Sequence, residues 1–309
     1  MNRDLTKAIG FISGIVGATM WGFSGVCSQY LFATSDITSE FLTMVRAIAA
    51  ALFFAIVIAA KYREVPRKLV QEKYQVGRLV LFGFALFGSQ IFYVITVSLT
   101  NAGTATVLQL SYMIFILGYT TVKAKALPAP RELLSFLCAL GGVILIATQG
   151  DLTSLSLPAA GLIFGLINGL SVALYVTLPK PLFATYGSFP VTGLGMAINA
   201  VLAIAVWVGF QMMAPSSQAW LIPTLDTLGW FVLIGGIGFV GTFLSYALYL
   251  HGVAKVGAVT GGLLGAFEPL GAMVISALWL GTIFSGADWA GFVLMIVMLV
   301  LLTIPAKQK

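Results

Sequence analysis

Along the 309-residue chain, charged positions are separated by long apolar stretches. Runs without Asp, Glu, Lys or Arg cover 8–35, 79–122, 133–150, 152–179, 181–225, 227–254, 269–287 and 289–306. A helix needs about 20 apolar residues to cross roughly 30 Å of hydrocarbon. The runs 79–122 and 181–225 are each long enough to hold a helical hairpin. Asn101-Ala-Gly divides the first, and Pro215-Ser-Ser-Gln closes the helix that opens at Pro190 in the second. Two further spans contain one charge each, Arg46 within 41–60 and Glu268 within 256–281. The pattern predicts ten transmembrane helices, at about 8–30, 40–60, 78–98, 102–122, 132–149, 158–178, 190–213, 228–250, 256–281 and 288–305. Continuous apolar runs without period-two alternation predict helices and not a barrel. The first run is too long and too glycine-rich for a cleaved signal peptide.

Composition agrees. The chain is 60% apolar with 34 glycines, and its mean hydropathy is +1.03. Only 8% of residues are charged, against roughly 25% in a soluble domain. A cytosolic globular protein, a disordered chain and a disulfide scaffold are excluded. Cys27 and Cys138, both in apolar runs, say little about redox compartment.

The net charge of +6 matters through its placement. With the N-terminus cytoplasmic, the inner loops and termini receive Arg3, Lys7, Lys61, Arg63, Arg67, Lys68, Lys73, Arg78, Lys123, Lys125, Arg131, Lys180, Lys255, Lys307 and Lys309. The outer loops receive only the acids Asp36, Glu40, Asp151, Asp226 and Asp288. Arg46 is the one basic residue left over. Basic loops face the cytoplasm, so this partition predicts a multi-pass cell-membrane protein with both termini inside.

The two halves resemble each other at an offset near 150. Gly10-Phe-Ile-Ser-Gly14 falls on Gly161-Leu-Ile-Phe-Gly165, and Leu31-Phe32 on Leu182-Phe183. Ala47, Ile48, Ala50, Leu52 and Ala55 fall on Ala197, Ile198, Ala200, Leu202 and Ala205. The expected units are 5–149 and 157–305, with five helices each. An odd helix number starts the second unit from the opposite side, which predicts an inverted-topology repeat of the kind that supports alternating access.

Met20-Trp21-Gly-Phe-Ser early in the first span, Val45-Arg46-Ala opening the second and Glu268-Pro269 in the ninth resemble the EamA-type members of the drug/metabolite transporter superfamily. Family members usually carry a Pro in the fourth helix and a Gly-Glu pair ending the fourth and ninth. Here those stretches read Ser111-Tyr112-Met113, Lys123-Ala-Lys125 and Leu280-Gly281-Thr282. The resemblance implies a central cavity between the halves, lined by spans one to four and six to nine. It also implies transport of small metabolites such as amino acids, with export favoured.

Two charges inside spans are the first candidates for substrate binding or coupling. Glu268 lies about 12 residues from the inner start of its span, roughly 18 Å deep. A carboxyl at that depth is expected to be protonated, paired or facing water. Pro269 beside it removes a backbone hydrogen bond and is expected to kink or weaken the helix. Arg46 enters about six residues from the outer side, ~9 Å deep. It would pair with Glu268, hold a substrate carboxylate, or snorkel to headgroups.

Polar and aromatic positions at helical spacing complete the set. Trp21 and Ser24 share a face of the first span, and Asn168 and Tyr175 a face of the sixth. Gln90 and Tyr93 lie on the third, Gln109 and Tyr112 on the fourth, Asn199 on the seventh, and Tyr246 and Tyr249 on the eighth. Converging, they would line a polar cavity able to hold a ring or an ammonium. Dispersed, they would be interhelical hydrogen bonds and interfacial aromatics.

Other chemistry lacks its partners. Gly236-Ile-Gly238-Phe-Val-Gly241 spells a dinucleotide fingerprint but falls inside a predicted span with no strand before it. Ser24 lacks a nearby histidine, since the single one, His251, lies at the other end of its span. No zinc-ligand cluster occurs. The expectation is therefore a secondary transporter of a small-molecule substrate, with protons as the coupling ion, and not an enzyme. No cofactor, no metal and no nucleic-acid partner is expected; the partner is the lipid bilayer, and an oligomer is not required. An uncoupled facilitator or exchanger is the alternative, and an intramembrane enzyme or lipid-handling protein the remote one.

Overall fold

A computed structural model describes residues 3–125, 130–151, 156–214, 222–256, 264–265 and 267–303. The turn at Pro215 and the two C-terminal lysines named above, Lys307 and Lys309, lie outside the described residues.

Every regular element among the described residues is helical. Helix α1 spans Arg3–Thr34 and α2 spans Ser39–Lys61. Thr38 starts α2 by accepting the Phe41 N–H at 3.3 Å, and Glu40 and Lys61 sit at the ends whose dipole they complement. A short amphipathic helix, α3 (Glu64–Gln71), buries Leu69 and leads into α4 (Lys73–Leu99). The predicted fourth span is divided. Asn101 caps α5 (Ala102–Gln109) by accepting the Thr104 N–H at 2.8 Å. The chain then tightens at Leu110-Ser111, whose N–H groups bond three residues back to Val107 and Leu108, before α6 (Tyr112–Ala124) begins.

Helices α7 (Pro130–Thr148), α8 (Ala159–Thr177), α9 (Lys180–Tyr186) and α10 (Ser188–Met213) follow. Asp226 caps α11 (Thr227–Phe231), which widens into a π-helical segment, Val232–Leu244, and returns to α-geometry in α12 (Ser245–Val256). Helices α13 (Phe267–Leu280) and α14 (Gly286–Thr303) complete the fold. Among the described residues, seven helical stretches are long and apolar enough to cross a membrane. Leu133–Thr148, Phe267–Leu280 and Gly286–Leu301 are shorter apolar helices.

Pro269 occupies the first turn of α13, just after a turn at Gly265, where its missing N–H costs nothing.

The halves interlock. From the first, α1 packs on α12 and α13; from the second, α8 packs on α4, α5 and α6. Helix α2 pairs with α10, and α7 with α14. Glycine permits two of the approaches: a Cβ on Gly22 would fall 2.6 Å from the Ala272 nitrogen of α13. A Cβ on Gly252 would fall 2.6 Å from the Gly10 carbonyl oxygen and the Gly14 nitrogen.

The two ends differ in chemistry. Lys73, Arg78, Lys123 and Lys180, from three different connections, gather around one groove. At the other end Gln29 ties three helices together. Its Oε1 accepts from the Ala102 N–H at 3.0 Å and the Ser276 hydroxyl at 2.7 Å, while its Nε2 donates to Thr282 Oγ1 at 3.0 Å.

Candidate functional site

Trp21 and Ser24 from α1, Arg46 from α2, Gln90 and Tyr93 from α4, and Gln109 from α5 line one small inner chamber. Tyr175 from α8, Tyr246 from α12 and Glu268 from α13 complete it from the second half. The chamber continues into a cavity of about 660 Å³. This wider part shares Trp21, Gln109, Tyr175, Tyr246 and Glu268, adds Tyr112 and Tyr249, and extends to Ser188, Val253 and Lys180 at the basic end. Helices α7 and α14 stay outside it, sealed together through Ile146, Met295 and Leu299.

Arg46 is 6% exposed. One guanidinium nitrogen donates to Thr242 Oγ1 at 3.1 Å. Thr242 in turn donates to the Ile237 carbonyl five residues back, at 2.8 Å. The π-helical geometry thus presents this hydroxyl as an acceptor for the arginine. Arg46 Nε and its second terminal nitrogen have no hydrogen-bond partner in the protein, nor have Ser24 Oγ, Gln90 Oε1 and the Tyr93 hydroxyl. A buried donor or acceptor left unpaired costs about 1–3 kcal/mol, more when charged, so these groups call for water or another polar molecule in the chamber.

Glu268 is held differently. Gln109 Nε2 donates to its Oε1 at 3.0 Å, and Asn168 Nδ2 donates to Gln109 Oε1 at 3.1 Å. The two amides form a relay that fixes the carboxyl from α5 and α8. No ion pair joins Arg46 to Glu268; each has its own neutral partner across the interface between halves. Trp21 packs edge-on to Tyr246 at 4.9 Å between ring centroids and tilted on Tyr249 at 4.7 Å, forming an aromatic wall.

Eleven of the sequence-derived positions therefore converge on one connected space. Asn168 stands behind it, acting through Gln109. Asn199 lies away from the lining, fully buried, with its amide donating to Met196 Sδ at 3.7 Å. Met196 also accepts from Gln90 Nε2 at 3.4 Å and so supports a chamber residue. Three contributors were not singled out from sequence: Ser89, Val172 and Thr242. Helical spacing carried a signal for each, since Ser89 is one turn from Tyr93, Val172 one turn from Asn168, and Thr242 one turn from Tyr246.

An all-helical, two-repeat membrane protein with a polar, aromatic cavity between its halves belongs to the class of membrane transporters. The pattern of the EamA-like transporter family matches residues 8–148 and 159–304, and the chain belongs to that family. It is 29% identical over 303 residues, 97% of each chain, to YicL of Salmonella typhimurium, described as an uncharacterized inner membrane transporter. Two Bacillus subtilis proteins are also similar. They are the uncharacterized transporter YcbK, 23% identical over 64% of this chain and 62% of its own, and YwfM, 28% identical over 52% and 51%. A solved crystal structure superposes with a TM-score of 0.62 at 16% identity, covering 98% of both chains, and so shares the fold.

Proposed function

We propose that the chain is a secondary transporter that moves a small amphiphilic metabolite, an amino acid or related compound, by alternating access and in exchange for protons. In this reading ten helices cross the membrane as two inverted repeats, 5–149 and 157–305, with both termini cytoplasmic and export as the net direction. The cavity then opens to the cytoplasm, because it reaches the basic end, and the Gln29 contacts close the outer side.

The observation that carries the substrate reading is that Arg46 and Glu268 share one chamber without pairing with each other. Arg46 retains two unsatisfied donors in the fork geometry that suits a carboxylate. Glu268, held by Gln109, offers oxygen to an ammonium or takes up a proton. Trp21, Tyr175 and Tyr246 give the rest of the solute a wall that accepts either aliphatic or aromatic groups. Pro269 keeps the start of α13 beside Glu268 free of an N–H donor.

The test is flux of candidate amino acids into proteoliposomes with and without a pH gradient. Wild-type flux is expected to follow the gradient, and Glu268→Gln is expected to retain substrate binding while losing that response. Unchanged gradient dependence in Glu268→Gln removes the coupling role, and gradient-independent flux of the wild type makes the protein an uncoupled facilitator.

A further inference from the structure

At the basic end, a groove of about 910 Å³ runs between the start of α4 and the ends of α6 and α8. Lys73 and Arg78 from α4, Lys123 from α6 and Lys180 after α8 face it, and among the described residues no acid lines it. The neighbouring acid Glu72 is not among the lining residues and accepts the Tyr186 hydroxyl at 2.8 Å. Two of the cations rest on neutral rings. The Arg78 guanidinium lies 4.6 Å from the Tyr74 ring centroid and donates to its hydroxyl at 3.0 Å, and Lys123 lies 5.8 Å from the Tyr119 centroid. Such stacking orients a cation without cancelling its charge.

The floor is open, since a Cβ added to Gly77 would meet nothing within 4 Å. Toward the hydrocarbon, α4 presents Leu81 and Phe84 to the outside at 57% and 53% exposure. A site that is cationic at its rim and apolar along its wall matches a molecule that is anionic at one end and hydrocarbon at the other.

We propose that this groove binds an anionic phospholipid of the adjacent leaflet, its phosphate between Lys73, Arg78 and Lys123 and its acyl chains along Leu81 and Phe84. Basic pockets between membrane helices recognise anionic headgroups through this combination of charge and apolar flank. Lys180 lines both the groove and the wide cavity, so the lipid sits at the mouth through which solute passes. The proposal rests on membrane insertion alone and stands or falls independently of the substrate and of coupling.

The experiment measures Tm of the purified full-length protein in uncharged detergent with phosphatidylglycerol, phosphatidylcholine or glycerol 3-phosphate. Phosphatidylglycerol is expected to raise Tm by on the order of 5 °C at saturation, and the other two to leave it unchanged. The double variant Arg78→Gln/Lys123→Gln is expected to lose at least half of that rise, whereas Lys61→Gln, outside the groove, keeps it. Equal shifts with phosphatidylcholine, an equal shift with glycerol 3-phosphate, or a full shift in the double variant overturns the proposal. Native mass spectrometry of the wild type in an equimolar mixture of the two lipids gives a readout that needs no variant. Preferential retention of phosphatidylglycerol supports the site, and equal retention overturns it.

Discussion

In the proposed reading Arg46 sets the chemistry of the chamber, because most of its hydrogen-bonding capacity is unspent. Only one of its nitrogens is tied down, to Thr242, and a guanidinium with free donors in a buried polar chamber selects for an anionic group. Arg46→Met is expected to weaken substrate binding by about 10- to 100-fold, the worth of hydrogen bonds to a charged group, read from the concentration dependence of flux. Arg46→Lys keeps the charge but loses the fork, so it is expected to fall between the two. A carboxylate-free substrate analogue provides the control: its transport should change far less in either variant. If both compounds lose affinity equally, Arg46 supports the fold and does not read the carboxylate.

At the scale of elements, close packing and helix irregularity do the positioning. The backbone of α13 lies against α1 at Gly22, so Gly22→Ala must push two helices apart. Overpacking of this kind costs about 1–3 kcal/mol and is expected to appear as a lowered Tm in detergent. Gln29 works at the opposite end, joining α1 to the start of α5 and the end of α13 by three hydrogen bonds. Gln29→Leu removes all three while keeping the bulk. It is expected to raise the reactivity of a cysteine placed at Ser276 toward a thiol reagent added from the outside, measured in a background lacking Cys27 and Cys138. Unchanged reactivity would mean that helix packing alone closes that end. The break between α5 and α6 and the π-helical turns before α12 have a shared feature. Beside each irregularity a polar residue, Gln109 or Thr242, meets a charge from another helix.

For the whole molecule, sidedness is the quantity to measure. Cysteines substituted at Val253 and Ser188, near the basic end of the cavity, are expected to react with an impermeant reagent from the cytoplasmic side and not from outside. Thr34, at the far end of α1, is expected to show the reverse. The opposite pattern would invert the orientation and, with it, the reading of the cavity as inward-open.

The sequence by itself determined the class of protein, because hydrocarbon imposes demands that are written one residue at a time. Charges are excluded from spans and backbone groups must be satisfied locally, so 26 charges among 309 residues mark where helices run. It also singled out Arg46 and Glu268, since a charge inside a span stands out against its neighbours. The partners of those two residues were decided only by the tertiary structure. Arg46 meets Thr242 across 196 positions and Gln109 meets Glu268 across 159, distances over which no helical period carries information. Local irregularity escaped the pattern for the same reason. Apolar runs report that a helix fits, but the break at Leu110-Ser111, the start of α13 at Phe267 and the displacement of Asn199 from the cavity follow from which helices pack together. Periodicity located the faces; the crossed packing of the two halves decided which of them meet.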